Sequence, residues 1–75
     1  MNRKELLADR DRMYVLTEDA IGQLYLEVVV GGIAMYTVDV ALSKEEAAAY
    51  IDGGKAELDN LAYEICKNPK AFRFR

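Results

Sequence analysis

The clearest pattern of apolar and polar positions lies in residues 24–42, where apolar side chains dominate on both sides of Gly31 and Gly32. The positions that flank the two glycines are rich in β-branched and aromatic residues, which favour strands. Paired glycines supply the backbone freedom that a chain reversal needs. The pattern therefore predicts a β-hairpin with strands over 23–30 and 34–42.

The register of this hairpin follows from the positions of its polar residues. A two-residue turn at Gly31 and Gly32 would pair Val30 with Ile33 and would mix apolar and polar side chains on both faces. A loop with an odd number of residues shifts one strand by one position and separates the two kinds of side chain. We therefore predict a loop of three or five residues, in which a glycine takes a left-handed conformation and forms a bulge.

An odd loop gives the hairpin one apolar face and one mixed face. The apolar face consists of Leu24, Leu26, Val28, Val30, Ala34, Tyr36, Val38, Val40 and Leu42. The mixed face offers six candidate contact residues: Tyr25, Glu27, Val29, Met35, Thr37 and Asp39. With a three-residue loop, Tyr25 would face Asp39, and Glu27 would face Thr37. Such a mixture of polar and apolar side chains is typical of protein contact surfaces.

The segment after the hairpin has the signature of a helix that covers the apolar face. Ser43 and Glu46 have the spacing of a capping box, in which each side chain bonds the backbone N–H of the other residue. Apolar and small residues then recur at spacings of three and four: Ala47, Ile51, Gly54, Leu58, Leu61, Ala62 and Ile65. This stripe keeps its phase across the glycine pair 53–54, so one helix over 44–67, bent at the glycines, is favoured over two helices.

The remaining segments complete an α+β fold. Residues 13–17 have the composition of a strand. Residues 2–9 carry two leucines among charged residues, which allows a short helix only. The tail, 70–75, alternates basic and aromatic residues and would form a short edge strand or an arm. We expect a three-stranded antiparallel meander packed on one face by the long C-terminal helix, which would contact Leu26, Val28, Tyr36 and Val38.

Length and composition narrow the class of protein. A chain of 75 residues is long enough for one small domain. An apolar content of 52% with a charged content of 31% argues against disorder and against a membrane protein. No long apolar run follows the basic residues near the N-terminus, so we expect no secretory signal and a cytoplasmic location.

Charge is distributed unevenly along the chain. The last ten residues hold four of the ten basic residues and none of the 13 acidic residues, so the rest of the chain is acidic. An acidic body disfavours nucleic-acid binding, which depends on neutralising phosphates. The tail is the exception, because Phe72 and Phe74 have the chemistry to stack on bases while Arg73 and Arg75 contact phosphates. In the favoured interpretation, these phenylalanines instead dock on the fold.

Residues that usually carry catalysis are scarce. The chain has no histidine and a single cysteine, Cys66, so it offers neither a nucleophile–base pair nor a zinc-binding set. Its glycine pairs lack the spacing of phosphate-binding loops. We therefore expect no catalytic residue, cofactor or metal, and a half-buried structural thiol at Cys66. Tyr25, Glu27 and Asp39 are the only plausible acid–base set.

These observations favour a small non-enzymatic interaction or structural module. The mixed face and the open edges of a three-stranded sheet invite pairing, so we expect a homodimer formed through the face or an edge of the sheet. The sequence does not identify any other protein partner. The alternative is a small nucleic-acid-binding regulator that uses the tail, and an enzyme ranks third.

Overall fold

Alternating apolar and polar residues build an antiparallel sheet that carries helices on one face. The computed structural model describes residues 3–31 and 35–72. Its elements are β1 (Lys4–Asp9), β2 (Tyr14–Glu18), β3 (Leu24–Val30), β4 (Tyr36–Ala41), α1 (Lys44–Gly53), α2 (Lys55–Lys67) and α3 (Pro69–Phe72). The strands form one sheet in chain order, and each pair of neighbours is antiparallel. The expected α+β class is therefore confirmed, although the sheet has four strands rather than three.

The β3–β4 hairpin has the odd-numbered connection that its pattern predicts. Val30 pairs with Tyr36, so the five residues 31–35 connect the strands. Gly31 has a φ of 102°, which favours glycine. The predicted bulge and the predicted start of the second strand at Ala34 fall on residues 32–34, which lie outside the described residues.

A five-residue connection keeps the predicted faces but changes the partners across the hairpin. Tyr25 pairs with Ala41, and Glu27 pairs with Asp39. The expected pairs of Tyr25 with Asp39 and of Glu27 with Thr37 are therefore wrong, because the register differs by two residues from that of a three-residue loop. Two acidic residues consequently lie directly opposite each other, where like charges repel.

The apolar face of the sheet and helix α2 form the core. Its buried residues are Tyr14, Leu16, Leu26, Val28, Val30, Val38, Val40, Leu42, Leu58, Ala62 and Ile65. Helix α2 packs over β3. Tyr36 is 46% exposed, so the expectation that the helix covers it is wrong. The physical reason is that β4 lies at the edge of the sheet, whereas helix α2 packs over the neighbouring strand β3.

The N-terminal segment forms a strand, so the predicted helix over 2–9 is wrong. β1 pairs with β2, and the pairing shifts between Glu5 and Leu7. Its charged composition does not favour a strand by itself. Pairing with a hydrogen-bonded neighbour and the packing of Leu7 against the core provide the stability that local preference lacks. Tertiary context therefore decides the conformation of this segment.

The predicted capping box at the start of α1 is confirmed. The Ser43 N–H donates to Oε1 of Glu46 at 2.8 Å, and the Glu46 N–H donates to Oγ of Ser43 at 3.2 Å. Two N–H groups that a helix start would leave without partners are thus satisfied. The helix begins at Lys44, as expected.

The single bent helix predicted over 44–67 is wrong, because the chain breaks into two helices at Gly54. This residue has a φ of 73° and a ψ of −152°, a conformation that is essentially restricted to glycine. Helix α1 ends at Gly53 and buries no residue. The apolar stripe is also interrupted, since Ile51 is 78% exposed. Apolar residues on the two sides of the glycine pair keep one helical spacing, although they belong to two separate helices.

The predicted tail over 70–75 begins as a helical turn rather than as a strand. The Asn68 N–H donates to the Glu64 carbonyl at 3.0 Å, and α3 follows from Pro69 to Phe72. The side chain of Phe72 is partly buried against the core, which agrees with docking on the fold. The other candidate tail contacts, Arg73, Phe74 and Arg75, lie outside the described residues.

Candidate interaction surface

The face of the sheet opposite the core is the candidate interaction surface, here called the open face. It is formed by alternate side chains of β2, β3 and β4: Val15, Thr17, Tyr25, Glu27, Val29, Thr37, Asp39 and Ala41. The described helices pack on the other face. Five of the six predicted contact residues belong to the open face. The sixth, Met35, precedes β4 and is 55% exposed.

A cation lies across the open face. The guanidinium of Arg3 donates to the two carboxylate oxygens of Asp39, at 2.9 and 2.8 Å. It also lies 3.9 Å from Oε2 of Glu27 and 3.7 Å from the centre of the Tyr25 ring. The hydrogen bond to Asp39 is the main reason that the pKa of Arg3 is raised above its ordinary value. Arg3 thus places one positive charge beside two carboxylates that face each other across β3 and β4.

Sequence reasoning missed Arg3 as a residue of this surface. It is 36 residues away from Asp39 in the chain, and it lies in a segment that was expected to be helical. The available signal is the pair of opposed acids, Glu27 and Asp39, which requires a nearby cation. That signal appears only when the hairpin connection is given five residues, because a three-residue loop separates the two acids.

The hydroxyl of Tyr25 is tied to the turn between β2 and β3. It donates to Oδ2 of Asp19 at 3.0 Å. The other oxygen of Asp19 accepts the backbone N–H groups of Ile21 and Gln23, at 3.0 and 2.9 Å. Burial opposes the charge on Asp19, but the hydrogen bonds that it accepts outweigh this effect and lower its pKa. The bond to Asp19, followed by burial, raises the pKa of Tyr25.

The candidate acid–base set, Tyr25, Glu27 and Asp39, is engaged in contacts within the chain. Both oxygens of Asp39 accept from Arg3. Oε2 of Glu27 accepts from the Thr17 hydroxyl at 3.4 Å. Since Tyr25 is also bonded, these groups act as ties between the strands, the turn and the N-terminal segment.

The rest of the open face is more apolar and borders an open groove. This groove of about 480 Å³ is lined by apolar residues that include Val15, Val29 and Met13, and also by four charged residues, Glu5, Asp9, Arg10 and Glu27. Met13 is 45% exposed. An apolar area beside a paired charge cluster has the mixed character of protein contact surfaces.

The last strand, β4, lies at one edge of the sheet, and α3 contacts it. Within the described ranges, β4 pairs with β3 and with no other strand. Its residues Tyr36, Thr37 and Asp39 are exposed. An edge strand presents unpaired backbone groups that favour pairing with another chain.

A second charge cluster joins the β1–β2 turn to the start of α2. Nζ of Lys55 donates to Oδ2 of Asp9 at 2.6 Å and to Oδ1 of Asp59 at 3.1 Å. The Tyr14 hydroxyl donates to the same oxygen of Asp59 at 2.5 Å. Asp9 also accepts the Arg12 N–H at 3.0 Å, which closes the turn. The members of this cluster are therefore partners for one another.

The pKa values of this second cluster report the same contacts. Hydrogen bonds from Lys55 and from the backbone of Arg12 lower the pKa of Asp9 to about 2. Burial, together with the hydrogen bond to Asp59, raises the pKa of Tyr14 to about 12. Bonds to Asp9 and Asp59 raise the pKa of Lys55. All three shifts favour the protonation states in which these contacts form.

Cys66 lies away from the open face. Its side chain is exposed, so the expected half-buried thiol is wrong. It borders an open pocket of about 180 Å³ with Arg12 and Tyr63. The thiol lies on the solvent side of α2 because the buried positions of that helix are Leu58, Ala62 and Ile65.

Two further observations concern ligands and membranes. Among the residues that the structure describes, no three His, Cys, Asp or Glu side chains are arranged to hold a metal ion. Within the same ranges, no helix combines the length and the apolar character needed to cross a bilayer.

Comparisons of the chain with protein-family models, curated proteins and solved structures give no significant match.

Proposed function

We propose that the chain is a non-enzymatic interaction or structural module that self-associates through its sheet. The observation that carries this proposal is the uneven covering of the sheet. The helices pack on one face, with α2 over β3 and α3 against β4, whereas no described helix lies on the open face and no described strand pairs with the outer side of β4. Antiparallel sheets tolerate one solvated face, but an edge without protection favours association.

The size of the chain supports self-association. A domain of 75 residues buries a smaller share of its surface than a larger one, so its own core provides limited stability. Binding that is specific to the folded state adds stability by mass action. Contact through the open face would also remove the apolar surface of Val15, Val29 and Met13 from water, whereas contact through the β4 edge would not.

The charge pairing on the open face supports the same proposal. Two carboxylates facing each other would give this region a negative potential and would repel a second copy. Arg3 lies within ion-pair distance of both Asp39 and Glu27, so the charge of these three side chains is −1 rather than −2. Arg3 therefore lowers the electrostatic cost of bringing two copies together through the sheet.

We also propose that the module acts in the cytoplasm. The exposed free thiol of Cys66 supports this location, because thiols persist in reducing compartments and pair or oxidise elsewhere.

Light scattering coupled to size exclusion tests the proposed function. At micromolar concentration, we expect a molar mass of twice the 8.4 kDa of the chain. A single monomeric species at every concentration would contradict self-association. Salt-sensitive binding to a labelled single-stranded oligonucleotide, lost when residues 73–75 are removed, would favour the tail-mediated regulator instead.

A further inference from the structure

We propose that two copies of this chain pair through their β4 strands, antiparallel and centred on Val38, to form one continuous sheet. This inference rests on the proposed function and specifies the surface used for self-association. The occupant of the β4 edge is thus a second copy of the same chain. Three features carry the inference: the direction of the backbone groups of β4, the difference between the two sheet edges, and the side chains of β4.

The direction of the backbone groups follows from the β3–β4 ladder. The Leu42 N–H donates to the Leu24 carbonyl at 2.9 Å, and this pair continues the register of the hairpin. Backbone direction alternates along an antiparallel strand, so even-numbered residues of β4 bond to β3. Thr37, Asp39 and Ala41 therefore direct their N–H and C=O groups outward. This row of donors and acceptors is a template for another strand.

The two edges of the sheet differ in their protection. β1 is irregular between Glu5 and Leu7 and carries several charged residues, which are features that blunt an edge. β4 pairs with β3 without a register shift, and its sequence YTVDVA has neither lysine nor proline. Its only charged residue, Asp39, is already paired with Arg3. The β4 edge is therefore the one suited to pairing.

The alternation of the backbone restricts the possible registers, and the side chains of β4 favour the one that is centred on Val38. The backbone N–H and C=O groups that point outward from β4 belong to its odd-numbered residues. Only these residues can form hydrogen-bonded pairs between two copies. Centring on Asp39 would place this carboxylate opposite Asp39 of the partner subunit, which is unfavourable. Centring on Val38 instead places Thr37 opposite Asp39 of the partner subunit, where the hydroxyl can donate to the carboxylate.

The same register also suits the side chains on the helix-bearing face. Val38 lies opposite Val38 of the partner subunit, and Tyr36 lies opposite Val40 of the partner subunit. Aromatic and β-branched side chains form favourable pairs across strands. Tyr36 is the large apolar side chain of β4 that remains 46% exposed in one chain. Pairing of two copies would cover it.

Cysteine cross-linking tests the register. In a Cys66→Ser background, Val38→Cys places two thiols opposite each other in a non-hydrogen-bonded pair, whose Cα atoms lie about 4.5 Å apart, within the range that a disulfide bridges. We expect mild oxidation to give a covalent dimer. Val40→Cys in the same background is the matched control, because Val40 is also buried on β4 but would face Tyr36 of the partner subunit. We expect little covalent dimer from it.

A proline substitution tests the outward hydrogen bonds. Thr37→Pro removes one outward N–H from each copy and keeps the ladder to β3. We expect the dimer dissociation constant to rise about tenfold or more, because two hydrogen bonds are lost. Thr37→Val is the control, since it keeps the N–H and should have the smaller effect. Circular dichroism checks that each variant is folded, and the cross-linking test decides alone if Thr37→Pro does not fold.

The outcomes separate this inference from the proposed function. A covalent dimer from Val38→Cys but not from Val40→Cys supports the β4 interface. A native dimer in which neither variant cross-links and Thr37→Pro has no effect overturns the β4 interface but leaves self-association standing. Equal cross-linking of the two cysteine variants overturns the register. A monomer in light scattering overturns both proposals.

Discussion

Arg3 holds both carboxylate oxygens of Asp39, at 2.9 and 2.8 Å, although the two residues are 36 positions apart in the chain. The contact joins the segment before β1 to the strand at the opposite edge of the sheet. Because Glu27 faces Asp39 across the hairpin, the same guanidinium relieves the repulsion between two acids. One residue near the N-terminus therefore stabilises the open face.

We predict that Arg3→Gln lowers the melting temperature by a few degrees, because Glu27 and Asp39 then face each other without a cation. The loss should shrink at high salt, since salt screens charges at the surface. Arg10→Gln, an exposed position in the β1–β2 turn, is the matched control and should change little. Thermal unfolding at two salt concentrations checks the prediction, and equal melting temperatures for the two variants would contradict it.

A double-mutant cycle isolates this contact further. Asp39→Asn should make Arg3→Gln less harmful, because the interaction is already weakened and the opposed charges are reduced. If the two substitutions were strictly additive, the bidentate contact would not stabilise the protein.

The hairpin illustrates what sequence reasoning can provide. Because the polar residues are restricted to one face, the connection between β3 and β4 must have an odd number of residues. A shift of one residue would bury these polar side chains. The capping box at Ser43 and Glu46 is equally local and is also confirmed. Loops of three and of five residues are both odd, so the pattern does not distinguish them. The pairing of Glu27 with Asp39 therefore could not be predicted.

We predict that Gly54→Ala destabilises the protein by roughly 1–3 kcal/mol, because its φ of 73° and ψ of −152° exclude other residues. Gly53→Ala is the neighbouring control. Its new Cβ would lie 2.8 Å from Cγ of Glu57, a flexible side chain that can move, so we expect a change below about 1 kcal/mol. Urea unfolding checks both values, and equal effects would count against a break at Gly54.

We predict that Leu26→Ala lowers the free energy of unfolding by about 2–5 kcal/mol, because this fully buried side chain leaves a cavity. Ile51→Ala should stay within about 0.5 kcal/mol, since Ile51 is 78% exposed. Chemical denaturation of both variants checks the assignment. A large loss for Ile51→Ala would mean that it belongs to the core, as the stripe in the sequence suggests.

Stability should be highest between moderately acidic and moderately basic pH. The pKa of Asp9 is lowered from 3.8 to about 2, so its stabilising contribution is present above 3.8 and is lost as pH falls towards 2. The pKa of Tyr14 is raised from 10.0 to about 12, so its contribution is present below 10 and is lost as pH rises through 12. Urea midpoints measured across this range should fall at both ends, and a profile that keeps rising towards pH 2 would contradict the Asp9 contacts.

The hydrogen bond from Lys55 is the main cause of the low Asp9 pKa. We predict that Lys55→Gln raises the Asp9 titration midpoint in NMR from about 2 towards 3.8. Lys44→Gln, an exposed residue of α1, should leave the midpoint unchanged. The assignment fails if both variants titrate like the native chain.

The parts that sequence reasoning missed depend on contacts distant in the chain. β1 is a strand because β2 is beside it, and its charges alone favour no such conformation. Lys55 and Asp9 are 46 positions apart in the chain, so no local sequence pattern predicts their contact. Gly54 is a possible helix end, but the regular spacing of apolar residues on both sides of it favours one continuous helix. This expectation is wrong because Ile51, which has the spacing of a buried residue, is exposed.

Hydrogen exchange of the backbone amides tests self-association through the β4 edge most directly. The Thr37 and Asp39 amides point outward, so their protection should increase with protein concentration as copies pair. The amides of Val38 and Val40, which bond to β3, should be protected at all concentrations. If the Thr37 and Asp39 amides exchange as fast as unprotected amides at concentrations at which the chain is dimeric, two copies do not pair through this strand.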